Sequence, residues 1–283
     1  MNFGTSWPPT PSYFFPVYNG ERHIRRCVES IRNQLYKPNA IIVVNDGSTD
    51  KTADILSGLR VQTIAHEQNL GLAAARNTGL NSSNTDIIAF FDSDTEVPVN
   101  YLKTMMTHFT AGKKYDGVGG HEVPKFTDGV SNYYRAKYLY QGIKCDAPVE
   151  RRVLYGLAMA FRREKLLNAG GFDTFFRANG EDVDICLRMY LKGSRFLYDP
   201  NLYVYHYKKD NFRSLVIMVY RYGIYGSLAM IKNLKKKPRG LDIFTKDRLP
   251  REIKVIPLFV FTAAAQLLSV IISRHNARKL WGG

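Results

Sequence analysis

Short apolar runs alternate with helix-patterned segments through the first two hundred residues, and that alternation leaves few folds open. The strand candidates are "AIIVV" (40–44), "VQTIA" (61–65), "DIIAFF" (86–91), "LAMAF" (157–161) and "LYVYHY" (202–207). Between them, "RHIRRCVESIRNQ" carries Ile24, Cys27, Val28 and Ile31 on one stripe at helical spacing, and "GLAAARNTGL" is rich in strong helix formers. This order predicts an α/β domain with a largely parallel sheet. At 283 residues the chain is long enough to bury a substantial core.

Three of the predicted strands end in polar clusters: "VVNDGS", "HEQN" and "FDSD". In an open α/β sheet the ligand crevice lies outside the carboxyl ends of the strands, so the three clusters converge on one edge. Turn chemistry explains any one of them, because Asp and Asn are common where strands stop. Together they predict an anionic, hydrogen-bonding crevice with Asp92 and Asp94 at its centre. The chain has no Walker loop and no GxGxxG after a strand, and "HEVPK" at His121 fails the spacing of a zinc protease helix. What remains is a divalent-cation site made of carboxylates, suited to Mg²⁺ or Mn²⁺ bridging to phosphates. The net charge of +15 points the same way, towards an anionic partner: nucleic acid, a membrane surface or a phosphorylated substrate. Cys27, Cys145 and Cys186 are odd in number, widely spaced and without a metal-binding pattern, which favours a reducing compartment.

The segments "FFPVYNGERHIRRCVESIRNQ", "IIVVNDGSTDKT", "NLGLAAARNTGL", "IIAFFDSDTEVP", "GGFD" and "GEDVDICLRMYLKG" occur in an order that resembles the motif set of family 2 glycosyltransferases. The resemblance covers about residues 16–206. It implies a GT-A (Rossmann-like) fold, a mixed but mostly parallel sheet flanked by helices, over residues 12–210. It also implies inverting transfer of a sugar from a nucleotide-diphosphate donor to an acceptor hydroxyl on a glycan or lipid-linked glycan. One departure is visible: "SYFF" between Pro11 and Pro16 is shorter and less β-branched than the first strand of the family, so that strand is expected to be short or altered.

The resemblance assigns roles residue by residue. Pro16, Tyr18, Glu21 and Asp46 would bind the nucleotide, with Asp46 accepting from a base N–H. Asp92-Ser93-Asp94 matches the DxD motif; residues i and i+2 of an extended segment share a face, so one carboxylate can reach the ribose or the metal's water shell while the other binds the metal, and Asp94 is the expected ligand with Asp92 nearer the ribose. Arg76 would contact the diphosphate or hold the DxD loop by an ion pair, and His206 would reach the metal or the diphosphate. In "NGEDVDICLRM", Asp182 is the expected general base, with Glu181 as its acceptor-binding neighbour and fallback. Acidic residues in a first helical turn also suit the helix dipole. Asp184 and Arg188, one turn apart, are expected to form a local ion pair.

After His206 the composition shifts to interleaved apolar and basic residues, a helical extension over 211–283 that reads as a membrane-surface element for anionic lipid. Its last apolar stretch, 255–272, is borderline for a span, and Thr262, Gln266, Ser269 and Ser273 form a thin polar stripe along it. An interfacial helix, a span and a helix packed on protein all remain open. With no basic-then-apolar leader at the amino terminus, the expected location is cytoplasmic, peripheral at the inner face of the membrane. Two rivals stand beside this reading. A polyprenyl-phosphate glycosyltransferase would have an already ionised acceptor and need little from Asp182. A nucleic-acid-binding protein suits the charge and the 18 tyrosines but not the acidic crevice, so nucleic acid is not an expected partner.

Overall fold

A computed structural model describes residues 11–110, 115–234 and 256–281. The chain runs β1 (Ser12–Val17), α1 (Ile24–Arg32), β2 (Ala40–Asn45), α2 (Thr52–Leu59), β3 (Gln62–Ala65), α3 (Leu72–Ser82), β4 (Ile87–Phe91), β5 (Thr95–Glu96) and α4 (Tyr101–Thr110). It continues through β6 (Gly117–Pro124), α5 (Gly129–Tyr138), β7 (Val149–Arg151), β8 (Ala158–Arg162), α6 (Arg163–Asn168), α7 (Glu181–Leu191), β9 (Phe196–His206), α8 (Phe212–Leu234) and α9 (Ile256–Trp281). The strands form one sheet in the order β3-β2-β1-β4-β8-β6-β9-β5, with β7 paired to β9. The β3-β2-β1-β4 half is parallel, so the carboxyl ends of all four strands lie on one edge. β8 runs antiparallel to both β4 and β6, which makes the sheet mixed.

β1 corrects the expectation of a short or altered first strand. It is six residues long, buried throughout, and hydrogen-bonded in parallel to β2 on one side and β4 on the other. Aromatic rings do the work of β-branched residues. Because strand side chains alternate, Tyr13 and Phe15 enter the core on one face while Phe14 enters the other. Phe15 lies 5.9 Å from the Phe91 ring, and Phe14 meets Phe90 edge-on at 5.4 Å. Phe14 fits only because Gly79 of α3 has no side chain: a Cβ there would stand 2.0 Å from the Phe14 ring. Burying each such ring contributes about 1.5–3 kcal/mol relative to exposure.

The extension shares its core with the preceding domain. Leu215, Met218 and Val219 of α8 pack on Tyr134 and Tyr138 of α5. Further along, Leu228 and Ala229 join Phe176 and Val183 of the domain and Ala277 of α9. Lys232 Nζ clamps this packing by ion pairs to Asp173 at 2.6 Å and to Asp184 at 2.8 Å. The α9 helix runs beside α8 in the same direction: Phe261 meets Phe212 near the start of both, and Ser273 donates to the Ile224 carbonyl further on. Gly223 permits the approach, since a Cβ there would lie 1.9 Å from Ser269 Oγ. Among the described residues, α8 is the one helix long and apolar enough to cross a membrane by length and composition. Of the basic residues of the extension, Lys232 is thus a structural clamp, while Lys235, Lys236, Lys237 and Arg239 lie outside the described residues.

Candidate active site

The chain turns sharply after β4, where the Asp92 carbonyl accepts from both the N–H (3.2 Å) and the hydroxyl (2.7 Å) of Thr95. β5 then pairs with β9, Thr95 opposite His206, and the Tyr207 N–H donates to the Asp94 carbonyl at 2.9 Å. These backbone bonds bring Asp94 to the end of β9, its Oδ2 3.2 Å from His206 Nε2. His206 is itself held from behind, with Nδ1 against the buried Glu122 carboxylate, which also pairs with Arg135 at 3.0 Å. Burial works against the charged imidazole, but Asp94 and Glu122 on either side outweigh it and raise the His206 pKa to about 10. Burial would likewise raise Asp94, yet the neighbouring His206 brings its carboxyl well below the usual range.

Glu122 behind Nδ1 orients this imidazole as carboxylates orient metal-binding histidines, with Nε2 directed at Asp94. Among the described residues no group of three or more His, Cys, Asp or Glu side chains can hold an ion unaided. A two-residue set of Asp94 and His206 fits a hard divalent cation that takes its remaining ligands from water and a diphosphate.

Arg76 organises the other half of the site. It is 1% exposed, and it ion-pairs with Glu181 at the start of α7, lies 3.3 Å from Asp92 Oδ1 and donates to the Gly156 carbonyl at 2.9 Å. The ion pair to the DxD segment, one of the two roles expected for Arg76, is present. Burial pushes the Glu181 carboxyl up to about 8, against the pull of Arg76 and with help from Asp182. Burial also raises the Asp92 carboxyl despite Arg76. Asp182 is only partly buried, its Oδ2 accepting from the Gly156 N–H at 2.9 Å and its Oδ1 from the Val183 N–H at 2.8 Å. Asp184 and Arg188 do form the predicted ion pair, at 2.7 Å.

Two hollows open on this machinery. One, of about 230 Å³, is lined by Arg76, Asp92, Gly156, Glu181 and Asp182, with Tyr222 and Gly226 of α8 among its other walls. The second, of about 300 Å³, is lined by Pro16, Tyr18, Gly20, His23, Ser93 and Asp94, among others. Leu72 and Asp92 belong to both, so the hollows are neighbours across the Asp92 side chain.

Pro16, Tyr18, Arg76, Asp92, Asp94, Glu181 and Asp182 thus line one hollow or the other, and His206 stands behind Asp94. Glu21 and Asp46 line neither. Asp46 is 3% exposed and spends its carboxylate inside the chain, accepting from the Leu70 N–H at 2.9 Å and the Gly71 N–H at 2.8 Å, with His66 Nδ1 at 2.7 Å. Glu21 accepts from the Lys51 N–H at 3.2 Å. Both order the loops that frame the second hollow, a structural task that the motif alone did not reveal. Sequence reasoning passed over Gly156, Tyr222 and Glu122. Gly156 was visible as a lone glycine before a strand candidate, whereas the other two carried no local signal.

A sequence profile of glycosyl transferase family 2 matches residues 12–170. The glycosyltransferase GlyA of Streptococcus pneumoniae is 31% identical over 69% of the chain, and a pre-mycofactocin glycosyltransferase of Mycobacterium tuberculosis is 30% identical over 74%. The chain spans only 30% and 45% of the length of these two relatives. The solved mannosyltransferase PcManGT from Pyrobaculum calidifontis, in complex with GDP-Man and Mn²⁺, superposes with a TM-score of 0.65 at 17% identity, covering 97% of this chain and 76% of that one. That likeness bears out the GT-A fold.

Proposed function

Since the chain belongs to glycosyl transferase family 2, we propose that it is an inverting, metal-dependent transferase that moves a sugar from a nucleoside-diphosphate donor to an acceptor hydroxyl on a glycan or lipid-linked glycan. The observation that carries this reading is the pair of hollows meeting at Asp92 and Leu72. A donor diphosphate in the hollow with Tyr18, Ser93 and Asp94 would present its sugar past Asp92 to the hollow with Asp182. Asp94 and His206 would hold the cation; when bound there, Mg²⁺ or Mn²⁺ supplies positive charge against the diphosphate leaving group.

The protein's own residues account for the rest of the chemistry. Asp182 is ordered by the Gly156 N–H and lines the first hollow, which supports it as the group that would accept the proton of the acceptor hydroxyl as that oxygen bonds to the anomeric carbon. The bond from that carbon to the diphosphate breaks on the opposite face, and the diphosphate leaves with the electron pair. Glu181 is engaged in the buried ion pair to Arg76 and is less free than Asp182 to turn to an acceptor. Arg76 fixes Glu181 and Asp92 together, which holds the start of α7 against the end of β4.

Thermal shift with nucleotide sugars in the presence of Mn²⁺ or Mg²⁺ tests the reading. A ligand at about 100 times its Kd adds about 2.7 kcal/mol of apparent stability, so one donor should stand out. No stabilisation by any nucleotide sugar, beside tight salt-sensitive binding of duplex or single-stranded nucleic acid, would overturn it.

A further inference from the structure

The polarity of α9 is inverted for a helix on a water-soluble protein. Thr262, Gln266, Ser269 and Ser273 point inward and are no more than 1% exposed, while Val260, Phe261, Leu267, Leu268 and Ile271 point outward and are 45–63% exposed. Two of the inward polar groups bond to neighbouring helices: Thr262 hydrogen-bonds Tyr134 Oη at 2.8 Å, and Ser273 donates to the Ile224 carbonyl at 3.0 Å. Phe261 reaches Phe212 of α8, itself 49% exposed, and Ile217 of α8 is 39% exposed. The outward side of the helix pair is therefore a contiguous apolar surface, of the kind that marks an interaction site.

Charge identifies what covers it. Neither α8 nor α9 contains an acidic residue. Arg213 and Arg221 are exposed on α8, and Arg274 and His275 are exposed on α9 one turn beyond Ile271. An apolar face with a basic border and no carboxylate complements an anionic lipid surface. Direction then separates lying on a bilayer from crossing it. Because α8 and α9 run the same way, two spans would require the intervening residues 235–255 to cross the bilayer between them, and eleven of those twenty-one residues are charged. Hydrocarbon excludes such a segment.

We propose that the α8–α9 pair is an interfacial docking element that lies on an anionic bilayer with Val260, Phe261, Leu267, Leu268 and Ile271 in the headgroup region, without spanning it. The docking does not depend on the sugar-transfer reading. Within that reading, α8 ties it to the active site, because Tyr222 and Gly226 line the hollow that holds Asp182.

Co-sedimentation of the full chain with vesicles of phosphatidylcholine, with or without phosphatidylglycerol, tests the proposal. The wild type should pellet with the anionic vesicles, bind neutral ones more weakly, and be released only in part by high salt. L267E/I271E should weaken binding by about tenfold or more, since it places charge in the apolar face. Both positions are exposed, so the variant should keep the wild-type melting temperature and nucleotide affinity, which separates loss of docking from misfolding. Conversion of Arg213 and Arg221 to Gln should reduce the preference for anionic vesicles while leaving the salt-resistant part. Wild-type protein remaining in the supernatant with anionic vesicles at low salt, or equal binding by L267E/I271E, would overturn the proposal. So would a dimer in solution that L267E/I271E dissolves, which would assign the face to a second copy of the chain.

Discussion

Arg76 and Glu181 stand 105 positions apart in the chain and form an ion pair almost wholly withdrawn from solvent, with side chains 1% and 3% exposed. Among the described residues the buried Glu181 Oε2 has no hydrogen-bond partner, so Arg76 is the group that opposes the effect of burial on the Glu181 carboxyl. Removing one member of a buried pair strands the other, at a cost of about 3–5 kcal/mol. R76M is therefore expected to lose about that much stability in urea unfolding. R76M/E181M should recover part of it, because no uncompensated charge remains. Additive losses in the double variant would mean that the two side chains are not coupled.

The acidic end of β4 gives a prediction about metal. Asp94 lies at the base of the second hollow beside His206 and carries no packing duty comparable to that of Arg76. D94A should abolish Mn²⁺-dependent binding of nucleoside diphosphate in calorimetric titration while leaving the fold intact, at a somewhat lower melting temperature because His206 loses an ion-pair partner. Undiminished affinity would remove Asp94 from the metal site.

Away from the site, Asp199 in β9 hydrogen-bonds His108 at 2.6 Å and accepts from the Asn201 N–H at 2.8 Å. Burial would raise its carboxyl, but these bonds outweigh burial and leave the pKa below the ordinary 3.8. A depressed carboxylate contributes stability that is present above the unfolded-state pKa and is lost as pH falls through the folded-state value. The stability difference between wild type and D199N should be constant near neutral pH and shrink below about pH 4. Urea midpoints across an acid series would show it, and a difference that grew in acid would reverse the assignment.

A base acts in the transition state and adds little to donor binding. D182N should therefore lower turnover on a hydroxyl acceptor by about two to four powers of ten, with donor affinity preserved. A parallel fall in both would make Asp182 a donor ligand or a structural residue.

The sequence revealed most where a side chain's role follows from its own neighbours. The carboxyl-edge clusters were legible because strand periodicity and polar strand ends are local signals, and the parallel order of β1 to β4 brings them to one edge. The strength of β1 was not legible, because it depends on Gly79, a position on a helix that follows two more strands. Asp46 illustrates the same limit: its partners at Leu70 and Gly71 sit on the loop after β3 and are set by how that loop folds back. The stripe of Thr262, Gln266, Ser269 and Ser273 was visible as a stripe, but sequence cannot say which way a stripe faces. Only the close passage of α9 over Gly223 turns it inward.

Gly156 offers the most exacting check on the site. Its N–H orders Asp182 and its carbonyl receives Arg76, so one peptide segment sets the spacing between the base and the cation that braces Glu181 and Asp92. A Cβ at this position would lie 3.0 Å from both terminal nitrogens of Arg76 and 3.1 Å from Asp182 Oδ2. Arg76 is locked by a buried ion pair and has no room to yield, so Asp182 and the backbone must shift instead. The shift needed is a few tenths of an ångström, short of the 1 Å misplacement that costs about a hundredfold in rate. G156A should accordingly lower turnover by about tenfold and destabilise the fold by about 1–3 kcal/mol, the usual range for overpacking. Nucleoside diphosphate affinity should remain unchanged, since Tyr18, Ser93 and Asp94 lie in the other hollow. Steady-state kinetics and calorimetry on the same preparation decide it. Normal turnover in G156A, or loss of nucleotide binding along with turnover, would show that Gly156 does not set the geometry of Asp182.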